Sequence, residues 1–111
     1  GDNPAGEDGA YDLIYFYESF HHCFDFFEVI PQLRRMLKPG GKVMMAGEPI
    51  VEGAMPLMPY PWGVRMDSEN ISIMRQRGWM ELGFHEDFLV STFEAEGFTF
   101  RKYPLGGYHY T

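Results

Sequence analysis

The chain has 111 residues, with 9 basic and 16 acidic side chains and a net charge of −7, which fits one small domain and excludes a two-domain enzyme. Apolar residues make up 45% of the chain and aromatic residues 17%, so it can bury a core and is not expected to be disordered. The acidic balance argues against nucleic acid as a partner, because affinity for the phosphate backbone comes from clustered lysine and arginine.

The cysteine count and the hydropathy pattern bear on location. One cysteine, Cys23, excludes an internal disulfide and a cysteine-rich zinc site, and it is compatible with a reducing cytoplasm. The longest apolar run, residues 26–30, is interrupted by Glu28 and is too short to cross a bilayer. We also expect no signal peptide. The sequence therefore predicts a cytoplasmic protein that has no membrane partner.

The first elements of the chain predict a strand after a flexible start. Residues 1–10 are mostly Gly, Asp, Asn, Pro and Ala, and are predicted to form a flexible lead-in to a domain spanning residues 11–111. The segment Asp12–Tyr17 is nearly continuous in apolar and aromatic side chains. That pattern is typical of a strand covered on both faces, as in a parallel sheet.

The next segment has the spacing of an amphipathic helix. From Phe26 onward, apolar residues recur at intervals of three and four as far as Leu37. Pro31 predicts either a kink or a regular start near Val29. The run Lys38-Pro39-Gly40-Gly41 predicts the end of the helix and a turn.

A second strand is predicted at Lys42–Gly47, and the intervening helix makes the two strands parallel, with a right-handed crossover. This is a βαβ unit. Residues 48–67 contain four prolines and no periodicity, so they are predicted to form a long lid or binding loop.

Two helices and a hairpin are predicted in the last third of the chain. Ser68 is a candidate N-cap of a helix over residues 68–76, which Gly78 ends, and a further helix spans about residues 85–96. Residues 98–105 alternate apolar and polar side chains. Gly106-Gly107 then separates them from residues 108–111, as in a tight hairpin.

Three motifs in order resemble the second half of the class I S-adenosylmethionine-dependent methyltransferases. They are the Asp-led strand from Tyr11, the run Tyr17-Glu18-Ser19-Phe20-His21-His22, and Leu37-Lys38-Pro39-Gly40-Gly41 before the next strand. Residues 78–84 look similar to a bacterial subgroup found with glycosyltransferase genes. The resemblance covers residues 11–111 and implies an α/β fold: part of a doubly wound, Rossmann-like sheet with strands equivalent to 4-5-7-6.

The resemblance also implies S-adenosylmethionine as cofactor, but the family's main cofactor-binding loop is missing from the pattern. That family holds the cofactor with a glycine-rich loop after its first strand and an acidic residue after its second, and neither precedes Tyr11. The Lys38–Gly41 run is no substitute, because it follows a helix C-terminus, where the partial charge is negative. We therefore expect a fragment or a free-standing half-domain.

The resemblance implies roles for residues at the end of the first strand, where ligands of open α/β sheets bind. It places Tyr17, Glu18 and Ser19 against the cofactor. It makes His21 or His22 a catalytic residue that orients the methyl acceptor or takes its proton. For either histidine, packing within the loop is an equal alternative. We predict no metal site, because adjacent loop histidines should point apart and zinc would need one or two further ligands.

Three further residues are candidates on the acceptor side. Glu48 follows the second strand and is a candidate catalytic base or acceptor ligand; the alternative is a solvated turn carboxylate. Trp62 and Arg65 in the long loop are candidates for binding a sugar or phosphate group. Their alternatives are that Trp62 anchors the loop to the core and that Arg65 pairs locally.

Two functional hypotheses follow. The first is part of a methyltransferase that acts on a small-molecule or saccharide acceptor and is inactive alone, with catalysis mainly by positioning. The second is a non-catalytic binding or assembly module. Under both, the first strand lies at the sheet edge and exposes unpaired backbone groups and apolar side chains. We therefore predict a homo-oligomer joined across the strand around Ile14.

Overall fold

A computed structural model describes residues 6–53, 56–103 and 107–111. Over these residues the chain forms two sheets with helices packed against them. The helices are α1 (Phe26–Met36), α2 (Ser68–Arg77) and α3 (Glu86–Ala95). The strands are β1 (Tyr11–Tyr17), β2 (Leu37–Ala46), β3 (Ile50–Val51), β4 (Trp62–Val64), β5 (Leu82–His85), β6 (Phe100–Tyr103) and β7 (Gly107–Tyr110).

The main sheet has the strand order β1-β2-β7-β6. β1 and β2 are parallel, with Ile14 opposite Val43 and Phe16 opposite Met45, and α1 connects them. β7 is antiparallel to both of its neighbours, β2 and β6. This confirms the α/β class and the 4-5-7-6 order that the resemblance implied, with the second strand of the final hairpin inserted beside β2.

Helix α1 begins at Phe26 and contains Pro31. The prediction that a regular helix starts near Val29 is therefore wrong. The Val29 N–H already bonds the Asp25 carbonyl at 3.2 Å, so the hydrogen-bond ladder is established one turn before the proline. The helix buries its Phe26, Val29, Ile30, Leu33 and Met36 face against the sheet.

Strand β2 begins at Leu37, five residues before the predicted start at Lys42. Tyr11 pairs with Leu37 and Leu13 with Lys42, so the extra residues form an irregularity in β2 opposite the start of β1. Gly40 has a φ of +78°, which suits glycine there. The predicted turn is therefore a bulge within the pairing region.

The segment predicted as a long loop, residues 48–67, contains two short strands. β3 and β4 both pair with β5, giving a second sheet of order β3-β5-β4 in which Phe84 lies opposite Ile50 and Trp62. The prediction of an irregular segment is wrong here, because strands of two and three residues show no periodicity.

The other helix and hairpin predictions hold with small changes. The N-cap of α2 is Asp67 and not Ser68, since the Asp67 carboxylate accepts from the Asn70 N–H at 3.3 Å. Gly78 ends α2 with a φ of +74°. The final hairpin is antiparallel as predicted. Its predicted turn residue Gly106 lies outside the described residues.

The predicted lead-in is described only from residue 6 onward; residues 1–5 lie outside the described part of the chain. The N–H groups of Gly9 and Ala10 donate to the carbonyls of Arg35 and Met36, both at 2.9 Å. The described part of this segment is therefore bonded to the end of α1. The domain boundary at residue 11 stays a prediction.

The core lies on one face of the main sheet, between the sheet and helices α1 and α3. Phe20, Val43, Phe93 and Tyr110 are each 0% exposed in this core. No helix in the described part of the chain is long and apolar enough to cross a membrane.

Candidate functional site

The carboxyl ends of β1 and β2 meet, because the strands are parallel and adjacent. The Glu18 N–H after β1 donates to the Ala46 carbonyl at the end of β2 at 3.0 Å. Glu18 and Gly47 both have left-handed backbones, with φ of 47° and 72°. A Cβ on Gly47 would lie 2.6 Å from Glu18 Cγ, so a side chain there would displace the Glu18 side chain.

Glu48 closes the turn that follows β1. Its side chain is 0% exposed, so the solvated carboxylate of the alternative interpretation is wrong. Oε1 accepts from the N–H groups of Ser19 and Phe20 at 2.7 and 2.8 Å. Oε2 accepts from the His21 N–H at 3.0 Å and from His21 Nδ1 at 2.8 Å. One carboxylate thus caps the short 3-10 helix Phe20–His22 and fixes the His21 ring.

The protonation of Glu48 follows from these contacts. Burial raises the pKa of Glu48, but the hydrogen bonds from His21 and from the backbone of Phe20 and Ser19 outweigh it, and the pKa lies below the ordinary value. Because an ionised carboxylate only accepts hydrogen bonds, His21 Nδ1 carries the hydrogen. A base role for Glu48 would require breaking these contacts, and that role stays a prediction.

Glu81, which the sequence analysis missed, holds His21 from the other side. Its side chain is nearly buried, and Oε2 lies 3.1 Å from His21 Nε2. Oε2 also accepts from Arg65 Nη2 at 2.6 Å, and Oε1 accepts from Trp79 Nε1 at 2.7 Å. His21 therefore lies between two buried carboxylates. Glu81 belongs to the Gly78–Phe84 run, but no local pattern linked it to a histidine 60 positions earlier.

His22 lies beside this network. Its Nδ1 donates to the Met80 carbonyl at 2.8 Å. Its ring lies 4.1 Å from the His21 ring and 4.9 Å from Trp79, between centroids. The expectation that the two histidines point apart is therefore wrong. Trp79 is 43% exposed, and the Arg77 guanidinium lies 5.7 Å from its ring centre.

The three predicted cofactor residues lie next to these side chains. Tyr17, Glu18 and Ser19 are all exposed where β1 ends, and Ser19 shares the Glu48 carboxylate with His21. The fold thus brings the predicted cofactor residues together with His21, His22 and Glu48. Their contact with a cofactor stays a prediction.

The two predicted acceptor residues have different surroundings. Trp62 packs against Phe26, with ring centres 4.8 Å apart, and against Phe27 at 6.0 Å. Arg65 pairs with Glu81. These contacts agree with the alternative interpretations, in which Trp62 anchors the long segment to the core and Arg65 pairs locally. Arg65 also lines a cavity of about 290 Å³ between the long segment and α2, whereas Trp62 joins the aromatic core. Acceptor binding by either residue stays a prediction.

Comparisons with known proteins agree with this geometry. Residues 3–45 match a family model described as a methyltransferase domain. Over 64 residues the chain is 34% identical to 27-O-demethylrifamycin SV methyltransferase of Amycolatopsis mediterranei (strain S699). The aligned segment covers 58% of this chain and 21% of that relative. Over the matched residues the chain is similar to methyltransferases.

Solved structures support the same fold. An S-adenosylmethionine-dependent methyltransferase from Mesorhizobium loti superposes with a TM-score of 0.64 at 16% identity, over 90% of this chain and 51% of that one. A chain of a complex that contains the Haloferax volcanii Trm112 methyltransferase activator superposes with a TM-score of 0.59 at 18% identity. The superposition covers 91% of this chain and 38% of that one. The chain thus spans about half, or less, of the length of the proteins it matches.

A set of three side chains in the site offers ligand atoms of the kind that bind metals. One ligand atom each from His21, His22 and Glu81 lie within 4.8 Å of one another. The sequence argument against a metal noted that a further ligand would be needed, and Glu81 supplies a third side chain with a suitable ligand atom. Two imidazoles and a carboxylate form a donor set found in zinc sites.

Proposed function

We propose that this chain forms the acceptor-side part of an S-adenosylmethionine-dependent methyltransferase that acts on a small-molecule or saccharide acceptor. The observation that carries the proposal is the meeting of the β1 and β2 carboxyl ends at a fixed polar site, in a sheet ordered like that of the related enzymes. Open α/β sheets bind their ligands at this end of the strands. The relation to methyltransferases makes methyl transfer the chemistry that this site best supports.

In this proposal, S-adenosylmethionine lies against Tyr17, Glu18 and Ser19. Their exposure and their position directly after a parallel strand support the assignment. The left-handed backbone at Glu18 turns the chain sharply beside Gly47, which brings the two strand ends into one narrow region. Because the remaining cofactor contacts of the family are not among these residues, we propose that the chain alone is inactive.

The acceptor would lie on the side of the cavity that contains Arg65. That cavity is lined mostly by apolar side chains, including Val51, Leu57 and Met58, with Arg65, Asp67 and Asn70 as its polar members. An apolar cleft with a few polar groups suits a small organic molecule. Arg65 connects the cavity to Glu81, and through Glu81 to His21.

Catalysis in this proposal is mainly positioning, which brings the acceptor atom into line with the methyl group. Glu48 contributes as a positioning residue, since both of its oxygens hold the turn that carries the histidines. Contact of the acceptor with His21 or His22 belongs to the same proposal. A cytoplasmic location also stays a prediction.

The test is a titration of the ¹⁵N-labelled chain with S-adenosylhomocysteine, followed by amide NMR shifts. Because the chain supplies only part of a pocket, we expect weak, saturable binding that shifts the amides of residues 17–19 and of Gly47. Tyr17→Ala should weaken the response. The matched control is Tyr15→Ala, which removes an equally exposed tyrosine of β1 and should leave the response unchanged. Absence of saturable shifts, or shifts confined to α2 or α3, would contradict the proposal.

A second candidate function is a non-catalytic assembly module that self-associates through β1. The observation that favours it is the exposure of Tyr11, Leu13, Tyr15 and Tyr17, which are 42–62% exposed along one edge strand. Edge strands with exposed apolar side chains favour pairing with another chain.

A further inference from the structure

The histidine–glutamate cluster, defined as His21, His22 and Glu81, has the features of a metal site. We propose that it binds one zinc ion through the two imidazoles and the carboxylate. This proposal goes beyond the methyltransferase function and does not rest on it. The cluster is largely buried, with His21 and Glu81 each less than a tenth exposed.

The first argument concerns the hydrogen positions of the two histidines. His21 Nδ1 is bonded to the Glu48 carboxylate and His22 Nδ1 to the Met80 carbonyl, each at 2.8 Å. Both acceptors require the hydrogen on Nδ1, so the lone pair of each neutral ring is on Nε2. His21 Nε2 faces Glu81, whereas His22 lies 3.8 Å from Glu81 through Nδ1, so its ring must shift to bring Nε2 to a shared ion. Metal-binding histidines almost always donate their other N–H to a carboxylate or a backbone carbonyl.

The second argument is that the carboxylate ligand is also held in place. Trp79 Nε1 donates to Glu81 Oε1, and Arg65 Nη2 donates to Glu81 Oε2. Carboxylates that bind metals are usually hydrogen-bonded in this way. Every member of the cluster therefore has a partner that fixes its orientation.

The third argument comes from the contact between His21 Nε2 and Glu81 Oε2, which are 3.1 Å apart. A lone pair on Nε2 would face a carboxylate oxygen, so a positive charge must lie between them: a proton or a metal ion. Two ligand atoms of a tetrahedral zinc ion are about 3.3 Å apart, given zinc–ligand distances of about 2.0–2.1 Å. The spacing of these two atoms fits zinc, whereas the three ligand atoms of the cluster lie within 4.8 Å of one another and must move closer to share one ion.

The donor set selects the class of metal. Imidazole and carboxylate ligands suit zinc, whereas magnesium and calcium prefer oxygen ligands alone. Two histidines and one glutamate leave a fourth zinc position open to water or to a ligand. The His22 side chain is 30% exposed, so the cluster can be reached from solvent.

The test is calorimetric titration of the metal-free chain with zinc chloride at neutral pH. We expect one ion per chain, with release of protons and with weaker binding as the pH falls, because histidine must be deprotonated to bind zinc. His22→Gln and Glu81→Gln should each weaken binding by at least tenfold. Glu48→Gln, which changes the partner of His21 Nδ1 as well as the acceptor of three backbone N–H groups, should weaken binding by about 10- to 100-fold in a folded variant. The control, Glu28→Gln on the exposed side of α1, should bind like the wild type.

A measurement on the unmodified chain covers the case in which a variant fails to fold. Zinc should change the imidazole NMR signals of His21 and His22 and leave those of His85 and His109 in place. Absence of saturable binding would show that a proton alone separates His21 from Glu81 and would overturn the proposal. Unchanged affinity in folded His22→Gln and Glu81→Gln would overturn it as well. The S-adenosylhomocysteine titration is independent, so failure of either proposal is recognised separately.

Discussion

The two faces of the main sheet differ sharply in what covers them. On one face Val43, Met45 and Tyr110 are at most 1% exposed beneath α1 and α3. On the other face Leu13, Tyr15 and Tyr17 are 51–62% exposed, although they belong to the same sheet. The side chains of β1 alternate between these two environments, with Ile14 and Phe16 packed against the core.

The difference shows that this chain folds around one covered face. The uncovered face carries tyrosine and leucine side chains, whereas a sheet face in contact with water usually carries polar ones. We infer that the uncovered face, defined by Leu13, Tyr15 and Tyr17, is an interaction surface, and we propose a second copy of the chain as its occupant.

The largest expected loss of folding stability comes from a substitution on the covered face. Phe93 is fully buried and stacks on Tyr110 with ring centres 3.7 Å apart. Phe93→Ala should lower the free energy of unfolding by about 3–5 kcal/mol, through lost burial and a cavity. The matched change on the uncovered face, Tyr15→Ala, should stay within about 0.5 kcal/mol in the monomer. Urea unfolding followed by circular dichroism measures both, and similar losses for the two variants would mean that the faces do not differ in this way.

The next prediction concerns association through the uncovered face. Tyr15→Lys places a charge in the middle of this face and should shift the chain from dimer towards monomer, because burying an unpaired ammonium in an interface is costly. Sedimentation equilibrium at several concentrations measures the shift. Gln76→Lys adds the same charge on the exposed side of α2 and should leave the association unchanged. A wild-type chain that stays monomeric at high concentration would contradict the proposed oligomer.

The framework of the fold could be predicted from local pattern. The apolar run Asp12–Tyr17, the helical spacing after Phe26 and the hairpin at the end of the chain each appear as predicted elements. Each is long enough to show its periodicity or ends at a recognisable turn. The short strands β3 and β4 have neither property. They form only because β5 is available as a common partner.

The site could be predicted only where its residues directly follow the two parallel strands. The Tyr17–His22 run and Glu48 follow the two parallel strands, so topology alone brings them together. Glu81 and Arg65 reach His21 through the second sheet, whose pairing no local pattern indicated. For the same reason no local pattern placed Glu81 beside the two histidines, and the expectation of no metal site stays a prediction.

The smallest predicted effect tests whether the uncovered face is exposed throughout. His109 lies on this face opposite Met44, yet it is only 7% exposed. The Tyr103 hydroxyl lies 2.6 Å from His109 Nδ1, to which it donates when the ring is neutral. Burial lowers the pKa of His109 below its ordinary value of 6.5, and the positive charges of Lys42 and Arg101 lower it further.

Because the pKa of His109 is lowered in the folded chain, the direction in which pH changes folding stability can be predicted. The unfolded chain takes up a proton on His109 at a higher pH than the folded chain does. The His109 contribution therefore destabilises the fold progressively as the pH falls below about 6.5, and it is constant above that pH. His109→Gln should lose less stability than the wild type between pH 7 and pH 5, measured by urea unfolding at each pH. Parallel stability curves would mean that His109 is solvated like Tyr15. The expected divergence would instead mean that the β7 end of this face is already covered by the chain's own Tyr103, and that the surface open to a partner is restricted to β1 and its border with β2.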